Sequence, residues 1–93
     1  MNFEWDEEKS RSNKRKHGID FEAAKSLWLE ENRVEIHAPY PLEERNIIIA
    51  EVENKLWTAI YTMRGEAIRM ISVRRARKKE AALYEEEGAG KRQ

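Results

Sequence analysis

The apolar residues Phe21, Ala24, Leu27 and Trp28 recur three and four positions apart, and Asp20 stands just before them where an N-cap belongs. The spacing predicts a helix over 21–29 that lays one stripe on the core. Residues 7–17, Glu-Glu-Lys-Ser-Arg-Ser-Asn-Lys-Arg-Lys-His, suit a helix in composition but have no apolar face, and Gly18 follows as a C-terminal cap. They predict a surface helix. A third helix is expected over 76–86, where Ala76, Glu80, Leu83 and Tyr84 line one side.

Past Asn32 the period drops to two, with Val34 and Ile36 alternating with Arg33, Glu35 and His37 as in a half-exposed strand. Ala38-Pro39-Tyr40-Pro41 ends it, because two prolines in three residues remove backbone donors, and 38–45 reads as a loop carrying Glu43, Glu44 and Arg45. Further strands are predicted at 46–52, 56–63 and 66–74, with a hairpin at Asn54 and a tight turn at Arg64-Gly65. That turn pairs Met63 with Glu66, and then Tyr61 with Ile68, Ala59 with Met70 and Trp57 with Ser72 on one face. The other face pairs Ile60 with Arg69 and leaves Arg69 as the only charge in the strand interior. Both faces are largely apolar, so helices or a partner are expected to cover both. The expected fold class is α+β: a small antiparallel sheet flanked by two N-terminal helices and one C-terminal helix. One domain is expected over 1–87, with a flexible tail over 88–93.

Ninety-three residues hold one core, and with 39% charged side chains, against a usual share of about 25%, most of the charge must coat its surface. Eighteen Lys and Arg balance eighteen Asp and Glu, which excludes a uniformly basic coat. The balance hides segregation: residues 64–79 hold seven basic side chains against Glu66, whereas residues 20–53 hold nine acids against Lys25, Arg33 and Arg45. The absence of cysteine removes thiolate chemistry and sulfur-bound zinc and fits a reducing compartment, so the cytoplasm is expected. No signal-peptide pattern opens the chain, and the longest aliphatic run is Ile47–Ala50, so no membrane span is expected.

Several fragments taken together resemble the BrnT-type toxins of type II toxin-antitoxin systems. They are Phe3-Glu4-Trp5-Asp6, Asn13 with Lys16-His17-Gly18-Ile19-Asp20-Phe21-Glu22-Ala23, Glu44-Arg45, Arg64-Gly65-Glu66, Ile68-Arg69-Met70-Ile71-Ser72-Val73-Arg74-Arg75-Ala76, and Glu80 with Tyr84. The resemblance runs from about Phe3 to Tyr84. It implies a RelE-like ribonuclease fold, toxicity through cleavage of messenger RNA, and neutralisation by a BrnA-type antitoxin. The ribbon-helix-helix domain of such an antitoxin binds the operator, so contact with DNA would run only through the partner. The loop before Glu44 is short for the family, and many RelE-like toxins are more basic than this neutral chain.

Metal-free RNA cleavage needs a group to take the ribose 2′-hydroxyl proton, a donor for the leaving 5′-oxygen, and cations on the transition state. His17 can act as acid or base, or simply cap the end of its helix. Glu44 can act as a base or orient Arg45, and Arg64, Arg69 and Arg74 can clamp phosphate oxygens. Arg69, flanked by Ile68 and Met70, is costly to cover unless paired, so it reads as either a phosphate clamp or one half of a buried ion pair. Lys14, Lys16, Arg75, Arg77, Lys78 and Lys79 are the candidate RNA-binding cations. No cofactor is expected, and no metal, since His17 and His37 are the only histidines and no helix-borne ligand spacing accompanies them. The competing function is a non-catalytic module that binds protein or nucleic acid. Trp5, Trp28, Trp57 and Tyr84 read as packing residues.

Overall fold

The computed structural model describes residues 1–37 and 45–88. Strands β2 (Val34–Ile36), β3 (Asn46–Val52), β4 (Lys55–Arg64) and β5 (Ala67–Arg75) form an antiparallel meander. Strand β1 (Asn2–Glu4) lies parallel on the far side of β5, giving the order β1-β5-β4-β3-β2. The sheet is therefore mixed, which corrects the expectation of an antiparallel one. Three residues are too few to show a period of two, and a parallel partner distant in sequence leaves no local turn signal.

Helix α1 (Glu7–His17) has the bounds expected of it and is capped at both ends. The Asp6 carboxylate accepts from the Glu8 and Lys9 N–H groups, and Gly18, at φ +87°, donates its N–H to the Lys14 carbonyl. Glu7 and Glu8 in the first turn and Lys14–His17 in the last suit the helix dipole. Lacking an apolar face, α1 docks through two buried polar residues. Ser10 Oγ accepts from the Phe21 N–H, and the Asn13 amide bonds both the N–H and the C=O of Val73 as a neighbouring strand would. Asn13 Nδ2 also donates to the Ile19 carbonyl. The edge of β5 beyond β1 is satisfied in this way.

The expected helix over 21–29 begins as an α-helix, α2 (Phe21–Ala24), capped by Asp20, and tightens into a 3-10 segment over Lys25–Leu29. Its stripe is buried as predicted. Phe21, Ala24, Leu27 and Trp28 pack on Ile48, Ala50, Ala59, Tyr61, Met70 and Val73, with Trp28 edge-on to both Phe3 and Tyr61. Fully buried side chains such as Phe21 and Leu27 contribute roughly 1.5–3 kcal/mol each. The last helix, α3 (Lys78–Leu83), starts later than expected and continues as a π-helical turn over Tyr84–Gly88 on the opposite face of the sheet from α2. Gly88, placed in the tail by the sequence, is buried against the Asn32 backbone. Residues 89–93 lie outside the described residues.

The hairpin at Asn54 forms with Glu53 and Asn54 both at positive φ, the demand of a type I′ turn. The second hairpin turns at Gly65-Glu66 rather than Arg64-Gly65, because only Gly65, at φ +62°, carries the positive φ that the first loop position requires. Met63 therefore pairs with Ile68 and Tyr61 with Met70, a slide of two that leaves each residue on its expected face. A β-bulge then breaks the register. Tyr61 faces Met70 but Ile60 faces Ser72, leaving Ile71 as the extra residue. Beyond the bulge Val73, not Met70, opposes Ala59, and Arg75, not Ser72, opposes Trp57.

Candidate nucleic-acid interface

The bulge decides where the arginines point. Arg69 and Arg74 are five apart and in a regular strand would face opposite ways, but Arg69 opposes Thr62 and Arg74 opposes Thr58 on the same face of β4. Arg64, an even number of residues from Thr62 and Thr58 on β4, shares that face. A row of three guanidinium groups thus crosses the sheet face away from α2.

The three are held differently. At the β1 edge, Arg64 Nη1 and Arg69 Nη1 each stand 3.5 Å from Glu4 Oε1. That oxygen is shielded from solvent and accepts no hydrogen bond from either. One carboxylate facing two guanidinium groups leaves a net positive charge, and neither arginine is locked by a bidentate bond. The Arg69 side chain is one-third exposed, so its donors can reach a ligand on the open face. Arg74, by contrast, gives both terminal nitrogens to Glu80, at 2.7 and 2.8 Å. Glu80 Oε1 also accepts from the Thr58 hydroxyl and the Arg77 N–H at the start of α3. The Arg74 guanidinium and the other donors hold the Glu80 carboxyl down to about 2, from an ordinary 4.5. The same bond raises Arg74 above its usual value. Arg74 therefore anchors α3 to the sheet rather than standing free as a clamp.

His17 is exposed in the last turn of α1 and borders two hollows. One, of about 260 Å³, is bounded by Lys9, Ser12, Lys16 and His17 on the helix and by Ile71 and Ser72 on β5. Ser72 opposes Ile60 on the arginine face, so this hollow lies between His17 and the arginine row. The second, also about 260 Å³, places Lys14, His17, Lys55 and Arg75 around Trp57, with the Arg75 guanidinium 5.6 Å over the Trp57 ring. Lys16 is exposed on α1, while Arg77, Lys78 and Lys79 are exposed at the start of α3. Glu44 lies outside the described residues, and Arg45 is exposed just before β3.

The family model for the ribonuclease toxin BrnT of type II toxin-antitoxin systems matches residues 5–80. The chain belongs to the BrnT family. A search of curated proteins gives no match. The BrnT match begins just after Glu4 and ends on Glu80, so it takes in α1, the whole arginine row and the carboxylate that holds Arg74. BrnT toxins are ribonucleases paired with an antitoxin, which makes RNA the family's target and a protein its partner. Among the described residues no helix is long and apolar enough to cross a membrane.

Two residues that shape this BrnT surface were not among the candidates from sequence. Glu4 sits in Phe3-Glu4-Trp5, an alternation too brief to read as a strand, and so its place beside Arg69 had no signal. Glu80 follows Arg74 by six residues, and only the turn from β5 into α3 brings the two together.

Proposed function

We propose that this chain is a metal-independent endoribonuclease toxin that cleaves messenger RNA, with the reacting phosphodiester over the open sheet face against Arg69 and Arg64. The single observation that carries the assignment is the pair of guanidinium groups sharing one carboxylate. Each keeps donors for a phosphate, and the net charge suits a transition state that gathers negative charge on the phosphoryl oxygens. Attack by the 2′-hydroxyl forms a bond to phosphorus and breaks the bond to the 5′-oxygen. The 2′ proton passes to a base, and the leaving oxygen takes one from an acid. His17 and Glu44 are the residues proposed for these transfers, and Lys16, Arg77, Lys78 and Lys79 would attract the flanking strand. Metal independence is part of the proposal, because Arg69 and Arg64 would supply the positive charge that a metal ion would otherwise bring to the transition state. The fold is proposed to be RelE-like, the setting cytoplasmic, and the partner a BrnA-type ribbon-helix-helix antitoxin.

The test is cleavage of RNA in excess EDTA by wild-type, Arg69→Lys and His17→Ala proteins, with folding followed by circular dichroism. Wild-type activity should survive the chelator, and Arg69→Lys should lose about tenfold or more, because an ammonium lacks the planar fork. Full activity in a folded Arg69→Lys protein would refute the clamp. Binding without cleavage by wild type would favour a non-catalytic module instead.

A further inference from the structure

The hollow around Trp57 lies between the C-terminal end of α1 and the β3–β4 hairpin, on the Trp57 and Arg75 face rather than the arginine row. Lys14, His17, Lys55 and Arg75 converge on it from three elements. Among the described residues none of these four is held in an ion pair, in contrast to Arg64, Arg69 and Arg74. The Arg75 guanidinium is oriented by stacking on Trp57, which fixes its position without using up its N–H donors. Three permanent cations with free donors, in a hollow the size of a small anion with part of its sugar, form an arrangement that protein stability alone does not favour. Their mutual repulsion is relieved by an anion.

Two features oppose an anion here. The Glu53 carboxylate lines the rim, and the C-terminal end of α1 contributes about half a negative charge. Together they amount to roughly one and a half negative charges against three permanent positive ones, so the hollow stays cationic. We propose that it binds a backbone phosphate of the RNA strand away from the cleaved bond, a second contact that sets strand direction. The proposal rests on RNA being the ligand of this chain, and it places Lys55 and Trp57 in recognition for the first time.

The experiment measures binding of a short, 2′-O-methylated RNA, which cannot be cleaved, to wild type, to Lys55→Ala/Arg75→Ala and to Lys14→Glu, by fluorescence anisotropy across a salt series. Inorganic phosphate serves as a separate ligand, followed by NMR shifts of the Arg75 and His17 side chains. The double variant should bind about tenfold more weakly, and its salt slope should fall by roughly 0.7, the value for one lost phosphate contact on a single strand. Lys14→Glu, on an exposed helix position, should weaken binding in the same direction. Wild-type affinity and slope in both variants would overturn the subsite, as would side-chain shifts with inorganic phosphate but none with the RNA. If methylated RNA binds through Lys55 and Arg75 but unmodified RNA stays intact, the subsite stands and the ribonuclease reading falls. If cleavage needs Arg69 but binding ignores Lys55 and Arg75, the reverse holds.

Discussion

Glu80 accepts from three different partners, Arg74, Thr58 and the Arg77 backbone, and this is why its carboxyl titrates near 2. A carboxyl depressed in the folded state stabilises above its ordinary 4.5 and loses that contribution as pH falls toward about 2. Glu80→Gln should therefore cost about 3–4 kcal/mol at neutral pH, on the basis of roughly 1.4 kcal/mol per pH unit. Urea denaturation of wild type and variant should show the gap closing between pH 4.5 and 2, and a gap independent of pH would mean the charge is not what holds α3. At this scale the sequence reading is uneven for a physical reason. Arg69 stands out because a charge between Ile68 and Met70 is anomalous in any register. Arg74 shows no anomaly, and its pairing depends on a bulge and a chain reversal that no local pattern encodes. Tyr84 reads correctly as a packing ring, the structure buries Tyr61 as well, and each hydroxyl donates to a glutamate, Glu30 for Tyr84 and Glu35 for Tyr61. Burial first, and then those carboxylates, raise both phenols well above the usual range.

Helix α1 shows what separates legible from illegible elements. Its bounds follow from Gly18 and composition, both local, whereas its docking depends on Asn13 imitating a strand toward Val73, sixty residues away. A helix without an apolar face contributes little by burial, so these bonds hold it in place. Asn13→Asp keeps the acceptor for the Val73 N–H but replaces the donor with a carboxylate facing the Val73 and Ile19 carbonyls. It should destabilise by roughly 2–4 kcal/mol, the cost of burying unpaired and repelling polar groups. Amide hydrogen exchange should then rise in α1 before it rises in β3 and β4, and uniform loosening would show that α1 is not the separable unit. The same contrast holds for the sheet. Both hairpins are announced by Asn54 and Gly65, because a positive φ is a local demand. The parallel β1 and the β5 bulge are silent, since apolar residues on both faces of β5 leave its register undetermined by pattern.

Across the whole molecule the hidden segregation of charge becomes spatial. Strand β5 with its arginines and α1 with Lys14, Arg15 and Lys16 occupy one side of the sheet. Glu30, Glu35 and Glu51 gather at the β2–β3 side, where Gly88 packs on Asn32 and brings the Glu85–Glu87 run alongside. From β5 to β2 is three strand spacings, or about 14 Å. That exceeds the Debye length of about 8 Å at 0.15 M salt and lies well within the roughly 30 Å reached at 0.01 M. The acidic side should therefore repel RNA arriving at the arginine row only when salt is low. Replacing Glu85, Glu86 and Glu87 by glutamine touches no proposed contact, so it should tighten binding of a non-cleavable RNA severalfold at 0.01 M and by less than about twofold at 0.15 M. Anisotropy titrations at the two salt concentrations measure both. Equal tightening at both would place the glutamates in direct contact with the strand, and no change at either would mean that the charge separation does not reach the RNA.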